Sequence, residues 1–380
     1  LVPDSDVGVI RLASPDIEKV DVDAVAEVLR SGQLVQGAHV RGFEEQIAAR
    51  TRARHAVAVS SGTAALHLAL LALDIRTGDK VAVASYSWPA TANVVAVTGA
   101  TPVFVDVDSR TGNIAPDALA ATLRRETRIR AIIPVHAFGS MANMEVVTEL
   151  ATQYGASVIE DAACALGASL GGRAAGTWGR LGCFSFHPRK AVTTGEGGVV
   201  TTDDSTLADR VRALRNHGQD PNAQAPDFVM PGLNYRMTDF QAALGIVQLR
   251  KFDEILRRRR QLAAQYKRLL DPTGIETPQA LETSAHVFQS YVVLLPSRTA
   301  RQRDRVIASM RASEIETTIG TYHLPLTTYW RKVGGYAAGD FPGTDDVSSR
   351  AVALPLHTRL TYEEQVTVVE GLARALGEEE

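Results

Sequence analysis

Between His55 and Asp161, short and nearly unbroken apolar runs alternate with helix-length segments, and that alternation limits most severely what the chain can fold into. His55 to Ala69 reads as strand, tight turn and helix. Val81 to Ala84 and Val103 to Val107 read as strands, Pro116 to Leu123 as a helix opened by proline, and Ala131 to Val135 as a strand. Met144 to Tyr154 is a helix closed by Gly155, and Ser157 to Glu160 a further strand ending at Asp161. Apolar strands separated by helices predict an α/β domain whose mostly parallel sheet is covered on both faces.

Upstream, Asp21 is a plausible N-cap for a helix over Val22 to Arg30 that stops at Ser31-Gly32, and a second helix covers Phe43 to Arg50. Past residue 250 the pattern changes to a charged helix up to about Leu270, a strand at Gln289 to Leu295, a helix at Ala300 to Ala312 and a final helix at Tyr362 to Leu376. The expected division is an N-terminal arm with a large domain over 1–250 and a smaller α+β domain over 251–380. Pro221 to Pro231 lacks periodicity and reads as a long loop.

A formal net charge of -3 offers no global attraction for nucleic acid or anionic membrane, and the Arg257 to Arg260 run reads as a solvated or interface face. Two cysteines, Cys164 and Cys183, are too few for a disulfide framework and lack metal-ligand spacing. With no leader-like segment and no apolar run of membrane-spanning length, a cytoplasmic protein is expected.

Chemistry is concentrated in Gly182 to Gly198, where an apolar strand delivers Lys190 into a Gly-rich turn. Lysine otherwise occurs only at Lys19, Lys80, Lys251, Lys267 and Lys332, so arginine does most of the cationic surface work. An ammonium can lose its proton and attack a carbonyl, which a guanidinium cannot. At Ser60-Ser-Gly-Thr63 a strand becomes a helix, and backbone N–H groups near Gly62 and Thr63 suit a phosphate; a plain turn capped by Ser60 or Ser61 is the competing explanation. Asp161 puts a carboxylate at the carboxyl end of a buried strand, where open α/β sheets bind ligands. A protonated pyridine nitrogen would be a fitting partner; a helix-capping role is the alternative. Glu160 alternates to the other face and is the weaker candidate. Ser185 shares a face with Cys183 and could donate to a phosphate, and Trp88 offers a flat face for an aromatic ring.

Together these residues make the chain resemble the pyridoxal 5′-phosphate (PLP) enzymes of fold type I, specifically the DegT/DnrJ/EryC1/StrS sugar aminotransferases. The stretches that carry the resemblance are Ser60-Ser-Gly-Thr-Ala-Ala-Leu-His-Leu-Ala69, Glu160-Asp-Ala-Ala163, Phe184-Ser-Phe-His-Pro-Arg-Lys190, Thr194-Gly-Glu-Gly-Gly198 and Leu233-Asn-Tyr-Arg-Met237. The resemblance implies that Lys190 forms the Schiff base with PLP and shuttles a proton, and that Asp161 pairs with the pyridine nitrogen. It further implies that Gly62, Thr63 and Ser185 hold the phosphate, that Trp88 covers the ring, and that Asn234 reaches the cofactor of a neighbouring subunit in a homodimer. His323, with Tyr322 beside it, resembles a substrate-facing position, whereas His136 reads as a structural strand-end residue and Glu196 as an anchor of the Gly-Glu-Gly-Gly bend.

Two positions depart from the family pattern. Cys164 stands where a Gln contact to the ring hydroxyl is common, and Leu166 where a His is common. Related dehydratases carry histidine at the lysine position, so Lys190 favours amino transfer. The expected substrate is a keto-sugar, nucleotide-linked in the leading reading, with glutamate or glutamine as donor. A keto-cyclitol such as an inosose is the alternative, and a non-catalytic regulatory protein on the same fold is the third reading. No metal site is expected.

Overall fold

A computed structural model describes residues 8–297 and 302–377. Seven strands form the central sheet in the spatial order His55–Val59, Gly198–Thr202, Leu181–Ser185, Ser157–Asp161, Ile129–Ile133, Lys80–Ala84 and Thr101–Val105. Gly198–Thr202 runs against both neighbours, and the other pairings are parallel. The mostly parallel sheet expected from the apolar runs is therefore present, with one antiparallel strand that the sequence pattern had not separated from the Gly-rich turn before it.

Strand alternation sends side chains to two different cores. Val57, Val59, Val81, Val83, Ile159 and Cys183 pack with the helix Gly62–Ala72, while Ala56, Ala58, Ala82, Ala84, Val158 and Phe184 join the core on the other face. Burying one such valine or leucine contributes roughly 1.5–3 kcal/mol, so either core alone outweighs any single polar contact.

Several boundaries move for identifiable reasons. The first helix is Lys19–Ser31, and Asp21 is not its N-cap: Glu18 is, while the Asp21 carboxylate reaches back to the Glu18 N–H from the third helical position. Its C-terminus is as expected, with Gly32 left-handed at φ 73. The second helix spans Ala38–Thr51 because Asp239 caps it from afar, accepting from Gly37 N at 2.7 Å and Val40 N at 3.0 Å. Thr101–Val105 begins two residues before the expected start and includes Pro102, which an edge strand tolerates. The expected helix at Ala300 to Ala312 is Arg303–Ala312; Ala300 and Arg301 lie outside the described residues.

The C-terminal part has an antiparallel sheet of Tyr291–Leu294, Ala351–Leu354 and Thr318–Ile319, packed by Arg303–Ala312 and Tyr362–Gly377. One 32-residue helix, Asp239–Leu270, runs through the division expected at residue 250. Its early turns (Ala242, Leu249, Phe252) join the large core, and its last turns (Leu262, Tyr266, Leu270) join the C-terminal one. Ile10 exchanges backbone hydrogen bonds with Glu314 and Glu316, so this part of the arm packs on the C-terminal sheet region. The arginine run is divided, with Arg257 exposed beside Glu254 and the next three making contacts within the chain. Arg258, Arg259 and Arg260 donate to backbone carbonyls of Leu360, Phe288 and His286, and burial pulls Arg259 down to about 10.

Candidate active site

Asp161 ends the strand Ser157–Asp161 and is 5% exposed. Its Oδ2 accepts from the Thr91 hydroxyl at 2.8 Å and its Oδ1 from Ala163 N at 3.2 Å. Both donors are neutral, and among the described residues Asp161 makes no ion pair. Burial raises its pKa above the ordinary carboxylate value, against the opposing pull of these two hydrogen bonds and of Lys190 and His136.

Glu160 points to the opposite face, as alternation predicts, and is fully buried. It accepts from Gly176 N at 2.8 Å, Trp178 N at 2.6 Å, Gly179 N at 2.8 Å and His136 Nε2 at 2.9 Å. His136 Nδ1 accepts from Ala142 N at 3.2 Å, which places the ring proton on Nε2. This cluster is complete, and His136 is a structural strand-end residue as expected.

The turn at Ser61 is built for close approach. Ser61 caps the helix Gly62–Ala72 by accepting from Ala64 N at 3.1 Å, which leaves the first-turn amides of Gly62 and Thr63 without intrahelical partners. A Cβ on Gly62 would lie 2.8 Å from Ser185 Cβ, and one on Gly198 would lie 2.3 Å from the Ser61 carbonyl oxygen. Only glycine lets the strand ends and the helix start meet there. The Ser61 cap expected as the competing explanation is present, and Ser185 stands against Gly62 on the face it shares with Cys183.

Lys190 follows the strand Leu181–Ser185, and its Nζ lies 3.0 Å from Cys164 Sγ. Cys164, noted as a departure in the sequence, is therefore the immediate neighbour of the candidate reactive amine. Gln289 clamps the lysine loop on both sides: its Nε2 donates to Arg189 O at 2.6 Å and its Oε1 accepts from Ala191 N at 3.0 Å. Neither this clamp nor Thr91 was visible in the sequence, because both act from segments distant along the chain. Glu196 anchors the bend through its backbone carbonyl, which accepts from Thr194 Oγ1 and Gln241 Nε2, and its carboxylate is exposed. Leu166 packs against the large core.

Trp88 is 61% exposed, unusual for so large an apolar ring. Tyr322 meets it edge-on at 5.5 Å, because Tyr322–His323 pairs antiparallel with Tyr86–Ser87. His323 contacts Asp345, Nε2 to Oδ1 3.1 Å, and burial lowers its pKa. Asn234 is exposed on a segment whose backbone bridges to Asn216. The structure thus joins Gly62 with Ser185 and Trp88 with Tyr322, and sets Asp161 and Lys190 within electrostatic reach of each other, while His323 is occupied by Asp345.

The residues present fit a phosphorylated aromatic aldehyde: a glycine-lined turn with a hydroxyl, a buried carboxylate with no ion pair among the described residues, an exposed flat ring and an amine. No cluster of metal-ligating side chains occurs among the described residues, and no described helix is long and apolar enough to cross a membrane.

A model of the DegT/DnrJ/EryC1/StrS aminotransferase family matches residues 15–373. The chain is 36% identical to GDP-perosamine synthase of Caulobacter vibrioides, covering 98% of this chain and 100% of that one. It is 35% identical to UDP-4-amino-4-deoxy-L-arabinose–oxoglutarate aminotransferase of Shewanella sediminis, covering 97% and 98%. A Streptococcus pneumoniae chain solved in its PLP form superimposes with a TM-score of 0.90 at 26% identity, covering 97% of this chain and 99% of that one. With the motifs, the fold and these relatives in agreement, the chain belongs to the DegT/DnrJ/EryC1/StrS aminotransferase family and is a PLP-dependent aminotransferase of fold type I.

Proposed function

We propose that the protein converts a nucleotide-linked keto-sugar to the amino-sugar with glutamate or glutamine as donor, and that Lys190 is the residue to which the cofactor is attached. The carrying observation is Lys190 itself: an amine in a clamped loop, with a thiol as its one side-chain hydrogen-bond partner among the described residues, on a sheet that also carries a glycine-lined turn and a buried carboxylate. The sugar nucleotides in the names of the two relatives support the substrate class.

PLP, when bound, supplies an aldehyde to take up the amino group and an electron-poor ring to delocalise charge. In this reading the Gly62 and Thr63 amides and the Ser185 hydroxyl bind the phosphate, where the helix N-terminus adds a favourable field. Asp161 accepts the pyridine N–H and keeps the ring cationic. Trp88 covers one ring face and keeps water from it. Lys190 Nζ moves the proton at the substrate carbon, a role that needs a neutral amine for part of the cycle. Tyr322 borders the sugar beside Trp88, and His323 contributes through its contact with Asp345. Exposed Asn234 reaches the cofactor phosphate of a second subunit, so in this reading the working unit is a homodimer, and its place is the cytoplasm.

The test is a panel of keto-sugar nucleotides and inososes, each offered with glutamate and with glutamine, with products identified by mass. Amination of a sugar nucleotide supports the proposal; turnover of inososes alone replaces it with cyclitol amination. Borohydride reduction should leave the cofactor on the Lys190 peptide, and label on any other residue overturns the assignment of Lys190.

A further inference from the structure

The segment Ser87-Trp-Pro-Ala-Thr91 does more than present an aromatic face. Ser87 and Thr91 are buried, their hydroxyls lie 2.8 Å apart, and the Thr91 hydroxyl lies 2.8 Å from Asp161 Oδ2. An ionised carboxylate can only accept, so Thr91 gives its single proton to Asp161 and Ser87 gives its own to Thr91. The chain of hydroxyls therefore has one direction, each bond polarising the next toward the carboxylate. The other carboxylate oxygen has a weaker hold, the Ala163 N–H at 3.2 Å. Ser87 is itself fixed by the strand pairing of Tyr86–Ser87 with Tyr322–His323, so both ends of the relay are anchored.

We propose that Thr91, backed by Ser87, is the positioning residue that holds Asp161 ionised and in one orientation toward the ring nitrogen of the bound cofactor. The proposal rests on the reading of Asp161 as the pyridine partner. Burial works against the charged carboxylate, and Thr91 is the foremost hydrogen bond opposing it. Without that donor the site would shelter the neutral acid more readily, and the cofactor ring would lose its proton along with its counter-charge.

The experiment compares wild type, Thr91→Val, Thr91→Ser and Ser87→Ala in three readouts. These are the dissociation constant for PLP, measured on cofactor-stripped protein by fluorescence quenching, the absorption band of the loaded protein across pH, and the melting temperature. Thr91→Val keeps the shape and removes the donor; it should weaken PLP binding about tenfold and displace the pH midpoint of the absorption band. Thr91→Ser should restore both, and Ser87→Ala should shift both in the same direction by less. A valine variant with wild-type affinity and band overturns the proposal, as does a serine variant as impaired as the valine one. Should the valine variant fail to fold, Ser87→Ala decides: an unshifted band in that variant overturns it as well. Failure of the wild type to take up PLP at all sinks the cofactor-site reading instead, and so is distinguishable.

Discussion

Glu160 and Asp161 are neighbours on one strand, both carboxylates and both buried, yet their surroundings differ in kind. Glu160 receives three backbone amides and a histidine, so every acceptor direction is met within the protein. Asp161 receives one hydroxyl and one longer amide contact. A buried anion that the protein fully solvates is structural; one left short is poised to gain from a cationic ligand. The contrast separates a carboxylate satisfied within the fold from the one proposed for chemistry, although the two differ by a single step along the chain.

The contrast can be broken by substitution, beginning with the amine on the Asp161 side. Lys190→Ala should reduce amino transfer by about four orders of magnitude and leave the melting temperature of the cofactor-free protein unchanged. Glu160→Gln should do the reverse, costing about 3 kcal/mol in urea unfolding because an amide cannot accept from all four donors, with kcat of the folded fraction preserved. Asp161→Asn should lower kcat about a hundredfold.

Its stability effect has a definite sign. Burial raises the folded-state pKa of Asp161 above its unfolded value, so between the two values the folded state holds more protons. Stability from this group is present at acid pH and is lost as pH rises through the raised value. Cofactor-free Asp161→Asn should therefore gain on wild type in melting temperature as pH rises across that window, and a parallel pair of curves would contradict the assignment. Smaller effects sharpen the picture. Trp88→Ala should weaken PLP binding about fivefold, read by quenching. Cys164→Ser keeps an acceptor beside Lys190 and should change kcat by less than about threefold.

Much of this contrast was legible beforehand. Period-two alternation separated Asp161 from Glu160 and put Ser185 with Cys183, because a strand leaves a side chain only two faces. The Ser61 turn was legible because its capping residue and its glycine are local. What escaped notice was supplied from far along the chain: Asp239 capping Ala38–Thr51, Gln289 holding the Lys190 loop, and the pairing that brings Tyr322 to Trp88. Thr91 is likewise distant from Asp161, and it is inconspicuous for a second reason. A threonine in the first turn of a helix is ordinary, and only the packing of Ala90–Val97 against the strand end makes its hydroxyl the partner of a carboxylate. For His323, expected to face the substrate, no sequence pattern encoded the Asp345 contact that its ring makes.

The Gln289 clamp also bears on how the chain can be divided. Its side-chain amide holds the backbone on each side of Lys190, while Arg259 of the long helix donates to its carbonyl at 3.2 Å. The loop that carries the amine is therefore finished by residues synthesised about a hundred positions later. A fragment ending near residue 250 would lack both Gln289 and the strand that pairs with Tyr86–Ser87, so the loop of Lys190 and the segment of Trp88 reach their final form only when the last third of the chain has docked.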